Sequence, residues 1–139
     1  MDHETRRTQG MRVRRDMLGD EHVDAMVART TTFTAPFQDL VARHAWGDIW
    51  SRPGLDRRTR SMLTVGLLAA LGLDHELGMH VRGAVRGGVT AEEIAEVLLQ
   101  MAVYAGVPSA NHAFTVAQAT LAELGVPAAP AGPTAFDRA

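Results

Sequence analysis

A chain of 139 residues, 46% of them hydrophobic, has apolar material for one domain core, and an aromatic share of 5% leaves Leu, Val, Ala and Met to fill it. The formal net charge of −2 points away from nucleic acid as the main partner. All 14 basic residues are arginine and cysteine is absent, which excludes Schiff-base lysines, disulfides, thiolate nucleophiles and cysteine-bound zinc.

The first residues, Met1, Asp2, His3 and Glu4, are charged and lack an apolar signal core. The longest apolar run, residues 62–73, is shorter than the roughly 20 residues a membrane span needs. A cytoplasmic protein with no membrane or nucleic-acid partner is expected. The first helix is predicted over residues 4–18, stopping at Gly19 and Asp20, with a short helical turn over 22–28. Thr34 and Pro36 open a third helix, 37–50, which Ser51, Arg52, Pro53 and Gly54 terminate. Asp56 caps a helix running to residue 71, whose latter half is apolar nearly all round and predicts a buried central helix.

Asp74 can cap the next helix, which reaches Arg86 and closes at Gly87 and Gly88. Thr90 and Glu93 form a capping box for a helix to residue 104. Ser109 is placed to cap the last helix, to residue 124. No segment alternates with period 2, so the fold class is all-α, six to seven helices with short connections. Residues 1–125 form one domain and 126–139 a frayed tail rich in Pro and Ala.

Three constellations could carry chemistry. Glu76 and His80 stack one turn apart beside the apolar stripe of Leu77, Val81, Ala84 and Val85, with Gly83 and Gly87 continuing their line. That is either a pocket floor, with the carboxylate raising the imidazole pKa, or a solvated pair beside glycines that let helices pack closely. One His and one Glu are too few for a metal site. Arg57, Arg58 and Arg60 crowd the first turn of a helix, where the macrodipole disfavours cations and free N–H groups attract anions. They either grip a carboxylate or pair with acids of a neighbouring helix or subunit. Finally, residues 43–50 hold Arg43, the i,i+4 pair His44 and Asp48, and both tryptophans, Trp46 and Trp50, on one helical face. The Trp pair also suits a core, and the His–Asp pair a surface. Tyr104 is expected in the core with a bonded hydroxyl, and Asn111 and His112 near the start of the last helix can support capping.

The string His44-Ala-Trp-Gly-Asp-Ile-Trp-Ser-Arg-Pro-Gly-Leu-Asp-Arg-Arg-Thr-Arg-Ser61 closely resembles the carboxymuconolactone decarboxylase family of the AhpD-like superfamily. The resemblance continues through Glu76-Leu-Gly-Met-His80-Val-Arg82, Gly88-Val-Thr-Ala-Glu-Glu-Ile94 and Tyr104-Ala-Gly-Val-Pro-Ser-Ala-Asn111, covering residues 9–124. AhpD-type peroxidases carry a Cys-x-x-Cys pair where this chain has Leu73 and Glu76, so their dithiol chemistry is excluded. The resemblance implies an AhpD-like helical bundle, a homo-oligomer (trimer or hexamer) and cofactor-free decarboxylation of a small lactone dicarboxylate, 4-carboxymuconolactone, in aromatic catabolism. It implies His80, aided by Glu76, as proton donor and His44, with Trp46 N–H, as enolate stabiliser. Arg57, Arg58 and Arg60 would hold the dianion, with Arg43 and Arg82 as alternates. The same scaffold acting on a different lactone, or a non-catalytic binder of anionic lactones, are the other readings the residues admit.

Overall fold

The computed structural model of the chain describes residues 1–133. Seven α-helices and one π-helical segment follow in order: α1 His3–Leu18, α2 Asp20–Arg29, α3 Ala35–Leu40, the π segment Val41–Ile49, α4 Arg57–Leu71, α5 Asp74–Arg86, α6 Ala91–Ala105 and α7 Val107–Glu123. The described residues hold no strand, as the all-α expectation requires. No helix among them is long and apolar enough to cross a membrane. Residues 126–133 lack helix; the rest of the expected tail, 134–139, lies outside the described residues.

Local signals set several boundaries. The Asp56 carboxylate accepts the Thr59 N–H at 2.7 Å and starts α4. Thr90 and Glu93 exchange side-chain and backbone bonds, each 3.1 Å, at the start of α6. Two expected caps fall elsewhere. Asp74 lies inside the first turn of α5, after Leu73, and its carboxylate meets His112 Nε2 at 2.5 Å, tying α5 to α7. Ser109 lies inside α7, because Gly106 (φ 105°) makes the turn and Pro108 fits the first helical turn, where its missing N–H is not needed.

Two cores divide the molecule. Helices α4 to α7 enclose Val65, Leu77, Val81, Ile94, Leu98 and Ala113. A second, smaller core joins α1 to the π segment through Val13, Met17 and Trp46. Here the backbones approach so closely that a Cβ on Gly10 would sit 1.8 Å from the Ala42 carbonyl oxygen, and one on Gly47 2.6 Å from that of Arg6. The third helix is therefore not the uninterrupted α-helix expected over 37–50. It widens after Leu40 into i→i+5 bonding, with the Trp50 N–H on the Ala45 carbonyl at 2.9 Å. Helix α5 bridges the cores: Leu77, Val81 and Ala84 face the bundle, while Gly83 meets the Met17 carbonyl.

Two burial expectations are corrected. Helix α4 buries Val65 and Ala69 but leaves Leu63, Leu67 and Leu71 exposed, because the chain packs only one side of it. Tyr104 is 83% exposed rather than in the core, standing at the rim of that same uncovered face.

Candidate active site

His80 sits where the two cores meet. One turn of α5 separates it from Glu76, and the face it shares with Gly83 turns toward α1 and the π segment. Its imidazole lies 6.3 Å from the Trp46 ring at an interplanar angle of 6°, and 6.1 Å from Trp50 at 21°. The two indoles stack on each other at 5.0 Å. Such offsets are favourable aromatic geometry. Their i,i+4 spacing and the wider turn of the π segment set one tryptophan nearly above the other.

The imidazole is half-buried, and neither ring nitrogen makes a hydrogen bond to the described residues. Its pKa is pushed down to about 4, first by burial, then by the nearby His22 of α2. Glu76 acts in the opposite direction but is exposed, and its effect is the smallest of the three. The expectation that Glu76 raises the imidazole pKa is thus outweighed by desolvation. His80 is a neutral imidazole at pH 7 in the free protein, with both nitrogens available to a ligand. Gly83 serves helix packing rather than a pocket floor, since the Met17 carbonyl lies 2.9 Å from where its Cβ would be.

The remaining sequence candidates separate. His44 is exposed on the π segment, bonded to Asp48 at 3.3 Å, and Asp48 is held by Arg6 at 2.9 Å; His44 takes no part in the Trp–His80 stack. The arginines of the first turn of α4 diverge: Arg57 reaches Asp16 on α1 at 3.1 Å, Arg58 pairs with Glu93 on α6, and Arg60 donates to the Arg52 carbonyl at 3.3 Å. Arg43 pairs with Asp39 at 2.8 Å and Arg82 with Glu123. Four of these five therefore spend their charge on carboxylates of the chain. Arg82 borders, with His22 and Arg86, a separate cavity of about 460 Å³ whose lining does not include His80 or the tryptophans.

Two residues outside the sequence candidates join the site. The pKa of His22 is lowered by burial first and by the charge of Arg14 next. Arg14 is 8% exposed, the one buried charged residue among those described. Its burial was readable from spacing alone, because Gly10, Val13 and Met17 mark one face of α1 and Arg14 falls on its edge. His22 carried no such signal. A wide concavity, about 950 Å³ between α4 and α6, is apolar and lined by none of these groups.

Together these side chains offer stacked aromatic rings, of which Trp50 is the less buried, an unpaired neutral imidazole and nearby positive charge. The arrangement suits a planar, unsaturated anion that must gain a proton. The sequence model of the carboxymuconolactone decarboxylase family matches residues 35–119. A 4-carboxymuconolactone decarboxylase of Acinetobacter baylyi is 42% identical over 91% of this chain and 94% of its own length. Nitrosuccinic acid decarboxylase npaB of Metarhizium robertsii is 47% identical over 84% of this chain and 81% of its own. A 4-carboxymuconolactone decarboxylase of Pseudomonas putida is 46% identical over 34% of this chain and all of its own length.

Proposed function

The chain belongs to the carboxymuconolactone decarboxylase family, and from that premise we propose that it is a carboxy-lyase releasing CO2 from 4-carboxymuconolactone. The observation that carries this reading is His80: a half-buried imidazole without a hydrogen-bond partner among the described residues, beside two stacked indoles.

The substrate supplies its own electron sink. When the bond from the ring carbon to the leaving carboxylate breaks, the electron pair moves through the ring double bond into the lactone carbonyl. CO2 leaves, and an extended enolate remains. One proton delivered to the carbon next to that carbonyl gives the enol-lactone and closes the balance. No electron-accepting cofactor is demanded by this chemistry, and the chain has no lysine to form an imine.

His80 is the proposed proton donor. The dianionic substrate brings two negative charges beside an imidazole that burial had kept neutral, and those charges raise its pKa. The proton is thus taken up with the substrate and delivered after CO2 has left. Trp50, backed by the buried Trp46, supplies the face against which the ring lies, and Glu76 adds to the stabilisation of the imidazolium. His44 lies outside the stack, so enolate stabilisation passes to the indole N–H of Trp46, which makes no hydrogen bond among the described residues.

A second reading has its own support. The relative from Metarhizium robertsii is named for nitrosuccinic acid, in which a carboxylate likewise sits beside an electron-withdrawing group. A nitronate would then replace the enolate, with the same need for a proton. Parallel assays of CO2 release from the two substrates separate these readings. A kcat/KM at least tenfold higher for 4-carboxymuconolactone is expected; the reverse order assigns the nitrosuccinate reading, and no release from either rejects both.

The proposal includes self-association. Leu63, Leu67 and Tyr104 border the apolar concavity between α4 and α6 and are 55%, 55% and 83% exposed. An uncovered apolar face of that kind is what a second copy of the chain would bury.

A further inference from the structure

We propose that Arg14 anchors the carboxylate that remains on the substrate after CO2 has left. This rests on the decarboxylase reading for the identity of the ligand, but not on the choice between its two substrates, since each keeps one carboxylate.

A buried guanidinium without a counter-ion is an expensive arrangement. Arg14 is 8% exposed, and no carboxylate lies within 4 Å of it among the described residues. Its one hydrogen bond runs from Nη1 to the Gln38 amide oxygen at 3.1 Å, which orients the fork without neutralising it. The Nε–H is buried and unpartnered. Burial lowers the guanidinium pKa, yet an arginine stays charged at neutral pH.

The guanidinium borders a cavity of about 340 Å³ between α1, α2 and α3, a volume suited to a small ligand. The one acid on its wall, Asp39, is already shared by Arg7 at 3.5 Å and Arg43 at 2.8 Å, so the cavity keeps net positive charge. Val13, next to Arg14 on α1, packs with Met17 and Trp46, and Ala42 of the cavity wall precedes Trp46 by four residues, so cavity and stack adjoin through α1 and the π segment. A carboxylate bound here would compensate the buried cation and accept the idle Nε–H.

The anchored group must be the carboxylate that stays. A cation fixed on the leaving carboxylate would stabilise the ground state and oppose its conversion to neutral CO2. Arg14 is therefore a substrate-binding residue on the retained arm.

The test uses Arg14→Met and Arg14→Lys in the full chain. Succinate binding is measured by calorimetry, and KM and kcat with 4-carboxymuconolactone. Arg14→Met should fold with a Tm equal to or above wild type, because an uncompensated buried charge is gone. Succinate affinity should fall on the order of 10- to 100-fold, KM should rise in parallel, and Arg14→Lys should recover part of the loss. Succinate that does not bind the wild type, or binds Arg14→Met equally well, overturns the proposal. Should Arg14→Met not fold, Arg14→Lys decides, and an unchanged KM overturns it. Arg14-dependent succinate binding without any CO2 release keeps the anchor and rejects the decarboxylase. CO2 release with a wild-type KM in Arg14→Met does the reverse.

Discussion

The imidazole of His80 lies nearly parallel to the indole of Trp46, 6.3 Å away and 6° off in plane, though one comes from α5 and the other from the π segment. This stack holds the ring half-buried and neutral, and it ties the stability of the fold to the protonation of one side chain. Because burial lowers the His80 pKa from 6.5 to about 4, the unfolded chain binds this proton more tightly than the folded one. His80 therefore contributes full stability above pH 6.5, and that stability is lost as pH falls from 6.5 to about 4. The loss is on the order of 2–3 kcal/mol from this group. Thermal melts across that window should show a falling Tm for the wild type. His80→Phe, which keeps an aromatic ring against the tryptophans, should flatten the slope; an equal slope in both proteins would remove His80 as its source.

The contact between α1 and the π segment is the least forgiving in the fold. Alanine at position 10 gains up to about 1 kcal/mol of helix propensity. Its Cβ would nevertheless sit 1.8 Å from the Ala42 oxygen, and backbone at that distance has to move. Gly10→Ala should cost at least about 3 kcal/mol net and displace Trp46 from His80. Denaturant unfolding together with Trp fluorescence checks this. A variant of wild-type stability and emission would show that α1 is not clamped as described.

The uncovered face of α4 makes a separate prediction. Leu67→Glu places a charge where the chain exposes a leucine, at 55%, on the rim of the apolar concavity. The isolated subunit should tolerate the change within about 0.5 kcal/mol. Light scattering should report a multimer for the wild type and a smaller species for the variant. An identical mass for both proteins would place the self-contact elsewhere or exclude it.

Much of this architecture was legible where the cause is local. Asp56 and the Thr90–Glu93 pair mark helix starts because a cap is decided within three residues. The Trp46–Trp50 pair was readable as one face because i,i+4 spacing survives the change from α to π winding. The π segment itself was hidden, since what accompanies it is the approach of Gly10 from a helix some thirty residues earlier. Asp74 was misassigned for a related reason: its carboxylate finds His112 on α7, a partner no local pattern reveals.

The site was legible at its centre and not at its edges. His80 stood out through its position beside an apolar stripe. The arginines of residues 57–60 stood out through their clash with the helix dipole, but Asp16 and Glu93 arrive from other helices to resolve two of them. Arg14 was less conspicuous in a helix that carries five arginines, and only the phase set by Gly10, Val13 and Met17 distinguishes it. Charge drew attention to the exposed arginines, while burial singles out Arg14, a cation held inside the fold without a counter-ion.

The kinetics of His80→Gln with 4-carboxymuconolactone, measured against wild type from pH 5 to 8, test the proton donor most directly. A donor that is neutral in the free protein and protonated with substrate predicts a wild-type kcat/KM that falls about tenfold per pH unit as pH rises. His80→Gln should fold normally, lose on the order of 10²- to 10⁴-fold in kcat and show no such slope. A variant that turns over at the wild-type rate with the wild-type pH profile would contradict His80 as the proton donor.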